Sequence, residues 1–360
     1  MLVVACISSH GFGHGARVAA LLQALAVSQP DCRFVLSTAL PAAFLRRTFV
    51  GINYEYRPCQ WDVGVVQADA LGSDPMATVQ ALERLEQQLP QQIEVEARWL
   101  EHWRRSNEPV VIVADVPPAA ARLAERLGWP LVWHGNFGWD SIYVDLGGPL
   151  QVWSERCLAD YRHGRAILRC PFALPMPWGL PLQSLGLSAG QPRFAAQTVG
   201  ERLNWRSQRP RSALLCFGGL GLPLDPALLA RWPQWQFIVV NEAVAEAPNA
   251  TLLPEDLRPV DVMPLCSLVI TKPGYSTFAE ALSQGCGLLV VERQGFAEAE
   301  VLQQGLQQHA FHRLLSRSAF EQGQWRLDQS LRPPQGQPLA TDGAVIGSDF
   351  VLSEIGRAHV

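Results

Sequence analysis

The sequence predicts an α/β protein made of two doubly wound, Rossmann-like domains that face each other across a cleft. Three observations carry this expectation. The chain has 360 residues, more than one hydrophobic core usually serves. Short, continuous apolar runs alternate with helical segments in both halves, as parallel strands buried on both faces do. A stretch rich in proline and glycine separates the two series, and such composition marks linkers.

The elements follow in order. Leu2 to Ile7 is the first apolar run and reads as a buried strand. The segment SSHGFGHGAR, residues 8–17, comes next, and an apolar-rich helix is expected over 16–26. Arg33 to Ser37 reads as a second strand. Residues 76–105 are rich in Glu and Gln and read as a long helix, interrupted near Pro90 because proline lacks an amide donor. Val110 to Asp115 is a strand ending in a carboxylate, 118–127 a helix, and Leu131 to His134 a strand. This first domain is expected over residues 1–175. PFALPMPWGLPLQ then breaks the pattern, so residues 176–210 read as the linker. The second domain is expected over 211–345. Its strands are Ala213 to Gly219, QFIVV, Ser267 to Thr271 and Gly287 to Glu292, with helices at 276–283 and 297–308. The final EIGRAHV, residues 354–360, resembles a translated sequencing adapter and is expected to be a non-native tail.

Composition narrows the function classes. Hydrophobic residues make up 48% and charged residues 17%, which fits a folded core and excludes a disordered chain. A net charge of -4 excludes a basic nucleic-acid surface. No apolar run approaches the roughly 20 residues of a membrane span. MLVVACISS has no charged leader region and reads as a strand, not a signal peptide. The eight cysteines stand singly, without C-x-x-C spacing. They read as buried free thiols of a reducing, cytoplasmic compartment. Lys272 is the only lysine, and its place beside a glycine turn invites a chemical role.

That turn lies in ITKPGYSTFAEALSQGCGLLVVE. A strand ends at Thr271, Pro273 and Gly274 turn the chain, and a helix opens at Ser276 or Thr277. The free amides of a helix start at a sheet edge form an anion site suited to a diphosphate, and Lys272 adds a point charge. Glu280, one turn in, shares a face with Ser276 and Thr277 and can accept ribose hydroxyls. Thr277-x-x-Glu280 reads equally as a capping box. FGGLGLP, residues 217–223, is a second glycine turn, in which Gly218 and Gly219 either approach a phosphate or simply turn the chain.

The 271–292 stretch resembles the donor-binding signature of GT-B glycosyltransferases, in particular the MurG-type N-acetylglucosaminyltransferases. The resemblance implies that Gly274 contacts the diphosphate and Glu280 holds the ribose. Thr277 also matches, whereas Lys272 stands where that group commonly has arginine. Over nearly the whole chain, GVVQADALGSD, ADVPPAA, NFGWDSIY, PFALPMP, FGG and KPGYSTFAEALS occur in similar order in the glycosyltransferase-like N-terminal region of L-arabinokinases and its stand-alone bacterial relatives. The sugar-kinase chemistry of arabinokinases belongs to a separate domain. The present sequence has neither a kinase ATP motif nor a P-loop.

SSHGFGHGAR can now be read. It is not G-x-G-x-x-G, because its third glycine falls one residue early. His10 and His14 have the H-x-x-x-H spacing of a helical metal pair, but the glycines between them argue against a helix and no glutamate is adjacent. The resemblance implies that this turn faces donor and acceptor, with Gly13 beside the ligand. His14 would be the general base of an inverting transfer, and Asp115 the carboxylate that orients it. The plainer alternatives are a ligand-contacting or structural His14 and an Asp115 that caps the following helix. Gln67, Asp69, Asn136, Trp139 and Asp140 lie in loops expected to line the cleft and hold acceptor or sugar, unless they are loop scaffold. Asp69 or Asp140 is the second choice of base. Arg293 and Glu298 are expected at donor sugar hydroxyls. PAAFLRRTFV either touches a membrane, as in enzymes with lipid-linked acceptors, or packs and shows its arginines to water.

The expected activity is metal-independent, inverting transfer of a hexosyl or N-acetylhexosaminyl group. It runs from a nucleotide diphosphate-sugar, UDP-linked, to a small-molecule or lipid-linked acceptor, with no cofactor. The rivals are a non-catalytic nucleotide-sugar-binding module and a UDP-sugar epimerase of the same architecture.

Overall fold

Six apolar residues in a row leave strand β1 (Leu2–Ile7) no polar face to turn to water, and all six are buried. Such a strand belongs in the middle of a parallel sheet covered on both sides. In the computed structural model, which describes residues 1–67, 72–205, 209–218, 224–293 and 296–357, it takes that place. The first sheet adds β2 (Arg33–Thr38), β3 (Tyr54–Pro58), β4 (Val110–Asp115), β5 (Leu131–Gly135), β6 (Ala166–Arg169) and β7 (Leu182–Ser184). Its order is β3-β2-β1-β4-β5-β6-β7, with every pairing parallel. The second sheet holds β8 (Ser212–Cys216), β9 (Gln236–Val239), β10 (Ala250–Leu252), β11 (Leu268–Thr271), β12 (Gly287–Val291) and β13 (His312–Leu315). Its order is β10-β9-β8-β11-β12-β13, again all parallel. Both are doubly wound. The strand order reverses between β1 and β4, and between β8 and β11, and ligands bind at the carboxyl ends of strands at such points.

The long helix Pro75–Trp103 continues through Pro90 instead of ending there. Pro90 is exposed, so water can satisfy the carbonyl that it leaves unpaired. The buried stripe Leu82, Leu85, Leu89, Ile93, Ala97 and Leu100 continues on both sides of it. Packing along that stripe outweighs the local cost. The helix opens on Asp74, whose side chain accepts from the Ala77 amide at 2.9 Å, with Pro75 in the first position.

Two further departures concern the domain borders. The segment expected as linker begins inside the first sheet, because β7 pairs with β6. The helix Gly343–Arg357 returns to the first domain and lies on the helix Phe12–Ser28. Val351 and Ile355 share a core with Leu21, Leu22 and Leu25. Gly347 allows the approach, since a Cβ there would stand 2.9 Å from Leu21 Cδ1. The chain thus passes between the domains twice, and the two passages are fastened together. The Leu187 amide donates to the Ala340 carbonyl at 2.7 Å. A Cβ on Gly186 would sit 2.6 Å from that same oxygen, and one on Gly343 would sit 2.6 Å from Ser188 Oγ.

In the helix Ala42–Thr48, Phe44, Leu45 and Thr48 are buried. The apolar side of PAAFLRRTFV therefore packs inward. Among the described residues, no helix is long and apolar enough to cross a membrane.

Candidate active site

The helix Phe12–Ser28 starts four residues earlier than expected, so Gly13, His14 and Gly15 form its first turn instead of a corner before it. The glycines serve close packing. A Cβ on Gly15 would stand 2.5 Å from Phe44 Cε1 and 2.9 Å from Leu40 Cδ1. A Cβ on Gly13 would stand 3.1 Å from Ser276 Oγ of the other domain, and that hydroxyl donates to the Gly13 carbonyl at 2.7 Å.

Asp115 ends β4 in register with Ile7 of β1, so its carboxylate lies under this helix start. It faces His14 Nδ1 at 2.7 Å. Two residues not anticipated from the sequence share it. Arg17 donates Nε to Oδ2 at 2.6 Å and Nη2 to Oδ1 at 2.8 Å. His134, in register with Asp115 on β5, approaches Oδ2 with Nδ1 at 3.0 Å. Burial alone would raise the Asp115 pKa, but the Arg17 guanidinium and the hydrogen bonds from both imidazoles hold it well below the usual carboxylate range. Two signals were available in the sequence. Arg17 is the only charged residue of an apolar helix, three positions after His14, and His134 lies next to the end of the neighbouring strand.

In the second domain, β11 ends at Thr271, whose Oγ1 donates to the Cys216 carbonyl at the end of β8, at 2.6 Å. The helix Tyr275–Ser283 has Gly274 as its N-cap and no capping side chain. Thr277 lies inside the first turn, so the capping-box alternative for Thr277 and Glu280 does not apply. Gly218 turns the chain after β8 with φ +78°, and a Cβ there would stand 3.8 Å from Lys272 Cε. Glu280 is pushed up to about 7 by burial, against the pull of Arg258. Gly190, between the domains, covers it, since a Cβ there would stand 3.5 Å from Glu280 Oε1.

A cavity of about 700 Å³ separates the two halves of the site. Gly13, His14 and Gln67 line it from the first domain; Gly218, Lys272, Gly274, Ser276, Thr277, Glu280, Arg293 and Glu298 line it from the second. Phe12 and Phe44, stacked at 4.6 Å between ring centroids, form an apolar wall close to His14. Arg293 lies over the Phe296 ring at 4.1 Å. Asp69 and Gly219 lie outside the described residues.

Three expected contacts are corrected. Trp139 is fully buried in the core, stacked on Tyr143, and donates Nε1 to Asp62 at 2.7 Å. Asp140 accepts from Trp178 Nε1 at 3.2 Å, and burial raises its pKa. The helix Trp139–Leu146 starts here and turns both side chains inward. Asn136 is buried behind the cavity, where it accepts from Arg17 Nη1 at 2.5 Å and donates to Glu298 Oε1 at 2.9 Å. His10 and His14 face different partners: His10 Nδ1 accepts from the Val65 amide at 3.4 Å.

With Nδ1 committed to Asp115, His14 has Nε2 left for a partner in the cavity. The site therefore offers a carboxylate-oriented imidazole on one side. On the other it offers a helix N-terminus, one lysine and a half-buried glutamate.

Comparison with known proteins agrees with the architecture. A UDP-glucosyltransferase from Polygonum tinctorium capable of glucosylating indoxyl superposes with a TM-score of 0.62 at 15% identity, covering 99% of this chain and 93% of the other. Arabidopsis thaliana UGT89C1 gives 0.65 at 12% identity, with 98% and 99% covered. A UDP-glucose: anthocyanidin 3-O-glucosyltransferase gives 0.61 at 13%, with 98% and 94% covered. The fold is thus GT-B, as expected. L-arabinokinase of Arabidopsis thaliana is 26% identical over 328 residues, which are 89% of this chain and 31% of that protein. The chain thus spans about a third of the length of the curated relative that it matches. No family model matches the chain.

Proposed function

We propose that this chain is a glycosyltransferase that moves a hexosyl or N-acetylhexosaminyl group from a UDP-sugar to an acceptor hydroxyl, with inversion and without a metal. One observation carries the reading: the His14–Asp115 pair faces the Gly274–Thr277 helix start, Lys272 and Glu280 across a single cavity. The similarity to UDP-sugar enzymes supports it. So does the match to MurG-type donor signatures at Gly274, Thr277 and Glu280. The region of L-arabinokinase that this chain resembles would then be the glycosyltransferase-like one.

In this mechanism His14 Nε2 takes the proton of the acceptor hydroxyl while Asp115 steadies the imidazolium that forms. The freed oxygen attacks the anomeric carbon from the face opposite the nucleotide. The bond from that carbon to the diphosphate oxygen breaks, and its electron pair leaves with the UDP. Helix amides and Lys272 stabilise the charge on the leaving diphosphate. Glu280 holds the ribose hydroxyls, and Arg293 and Glu298 hold the donor sugar. The Phe12–Phe44 wall suits an acceptor with an apolar body, whether a small molecule or a lipid-linked one. The eight free, buried cysteines suit a reducing compartment, the cytoplasm.

The test is to incubate the protein with UDP- and GDP-sugars and measure nucleotide release with and without candidate acceptors. Acceptor-dependent release of UDP is the expected result. Tight UDP binding without turnover would make the chain a binding module. Sugar isomers formed without nucleotide release would make it an epimerase.

A further inference from the structure

Four nitrogen contacts surround the Asp115 carboxylate. Oδ1 meets His14 Nδ1 at 2.7 Å and Arg17 Nη2 at 2.8 Å; Oδ2 meets Arg17 Nε at 2.6 Å and His134 Nδ1 at 3.0 Å. A carboxylate has about four lone-pair sites. His14 therefore shares its orienting group with a bidentate guanidinium.

The place of Arg17 is built for it. The side chain is 2% exposed. Its Nη1 donates to Asn136 Oδ1 at 2.5 Å, and Asn136 is anchored in turn on Glu298 of the second domain at 2.9 Å. The Tyr275 ring, also from the second domain, lies 5.5 Å from the guanidinium carbon. Gly135 has φ +153°, and a Cβ there would stand 3.3 Å from Arg17 Nη2. Space and backbone both yield to the arginine.

The consequence is electrostatic. An imidazole beside an uncompensated buried carboxylate is driven to hold a proton, and a protonated imidazole cannot act as a base. Arg17 carries a permanent charge. We propose that Arg17 is the counter-charge of Asp115, a positioning residue that leaves His14 neutral, with its proton on Nδ1 and Nε2 open to the cavity. The use of that open nitrogen rests on the glycosyl-transfer reading; the assignment of charge does not.

The other titratable groups packed around His14 and Asp115 are His10, Asp62, His134 and Cys170. His10, on the loop before the helix, is lowered to about 3, chiefly by burial and further by the nearby Arg293 and Lys272 charges. Asp62, on the loop after β3, is raised by burial despite bonds from Ser8 and Trp139. His134 is raised to about 9 against its burial, by Cys170 and Asp115. Cys170, 3.6 Å from His134 Nε2, is lowered by that imidazole against its own burial. The rings of Phe137 and Trp139 complete the surroundings. One alternative is open to the ring itself: Arg17 Nη2 lies 3.1 Å from His14 Nδ1. Donation along that line would put the proton on Nε2 and remove the base.

The experiment is nitrogen-15 NMR of the His14 ring in the full chain, without nucleotide, at pH 7. A neutral ring protonated on Nδ1 is expected; a doubly protonated ring or the Nε2–H form would overturn the proposal. In Arg17→Gln the His14 titration midpoint should rise by about one pH unit or more, and an unchanged or lower midpoint would overturn it. Arg17→Lys keeps the charge and should hold the midpoint within about half a unit. If Arg17→Gln does not fold, the wild-type ring decides alone. In turnover, raising the pH should restore part of the rate lost in Arg17→Gln, whereas a merely structural arginine would depress the rate at every pH. A wild type that transfers no sugar defeats the glycosyl-transfer reading and leaves the ring measurement to judge the charge.

Discussion

Ser276 and Gly13, 263 residues apart, join the two domains by one hydrogen bond of 2.7 Å between the first turns of two helices. The helix that would hold the diphosphate is thereby tied to the helix that carries His14. Gly13→Ala would place a methyl group 3.1 Å from Ser276 Oγ and 3.3 Å from its Cβ, tighter than atoms normally pack. We expect weaker nucleotide binding and slower transfer with little change in thermal stability. Ser276→Ala should cost about 1 kcal/mol in unfolding free energy. Calorimetry and nucleotide titration on the same samples check both.

His14→Ala should leave nucleotide affinity within about threefold of wild type and lower the transfer rate by roughly 10²–10⁴-fold, the usual contribution of a general base. Asp115→Asn is a different experiment. It leaves the buried Arg17 without its carboxylate and should destabilise the fold by about 3–5 kcal/mol. Denaturant midpoints measured beside the kinetics separate the two effects.

Glu280 supplies a prediction with opposite signs. Its pKa is raised to about 7 from an ordinary 4.5. The stability it contributes is therefore fully present below pH 4.5 and is lost as pH rises through 7. Glu280→Gln should make the unliganded protein more stable than wild type at pH 8, by at most about 3 kcal/mol, and indistinguishable from it near pH 4. The same variant should bind nucleotide more weakly, since the ionised carboxylate is the better acceptor of ribose hydroxyls. Wild-type affinity should accordingly climb as pH rises through 7. Chemical denaturation across pH 4–8 and UDP titration across pH 5–8 test both signs.

Gly15→Ala replaces a poor helix former with the best one, worth about 1 kcal/mol. Its new methyl group would meet Phe44 Cε1 at 2.5 Å and Leu40 Cδ1 at 2.9 Å. Overpacking of this kind costs about 1–3 kcal/mol, so the variant should be neutral to destabilised. It should also disturb the Phe12–Phe44 wall. A changed KM for acceptor with an unchanged KM for donor is the expected kinetic mark.

Much of the architecture was legible because β1, β4, β8, β11 and β12 are predominantly apolar and buried residue by residue. The edge strand β3 (YEYRP) is half-exposed and β7 is three residues long, so neither carries a periodic signal. His14, Asp115 and the residues from Lys272 to Glu280 stood out through motif and position. Arg17 and His134 did not, because their meeting with Asp115 depends on strand register and helix docking. Trp139 and Asp140 misled because a polar cluster after a strand resembles a cleft loop. The helix that begins there carries both into the core.

The paired passages between the domains have a mechanical consequence. One tether would let the halves swivel freely. Two cords stitched at Leu187 and Ala340, with Gly186 and Gly343 pressed against the opposite cord, resist torsion and leave bending as the easy motion. A relative movement of the halves would then be a bend at this seam, and such a bend would carry His14 along one line toward the Gly274–Thr277 helix start.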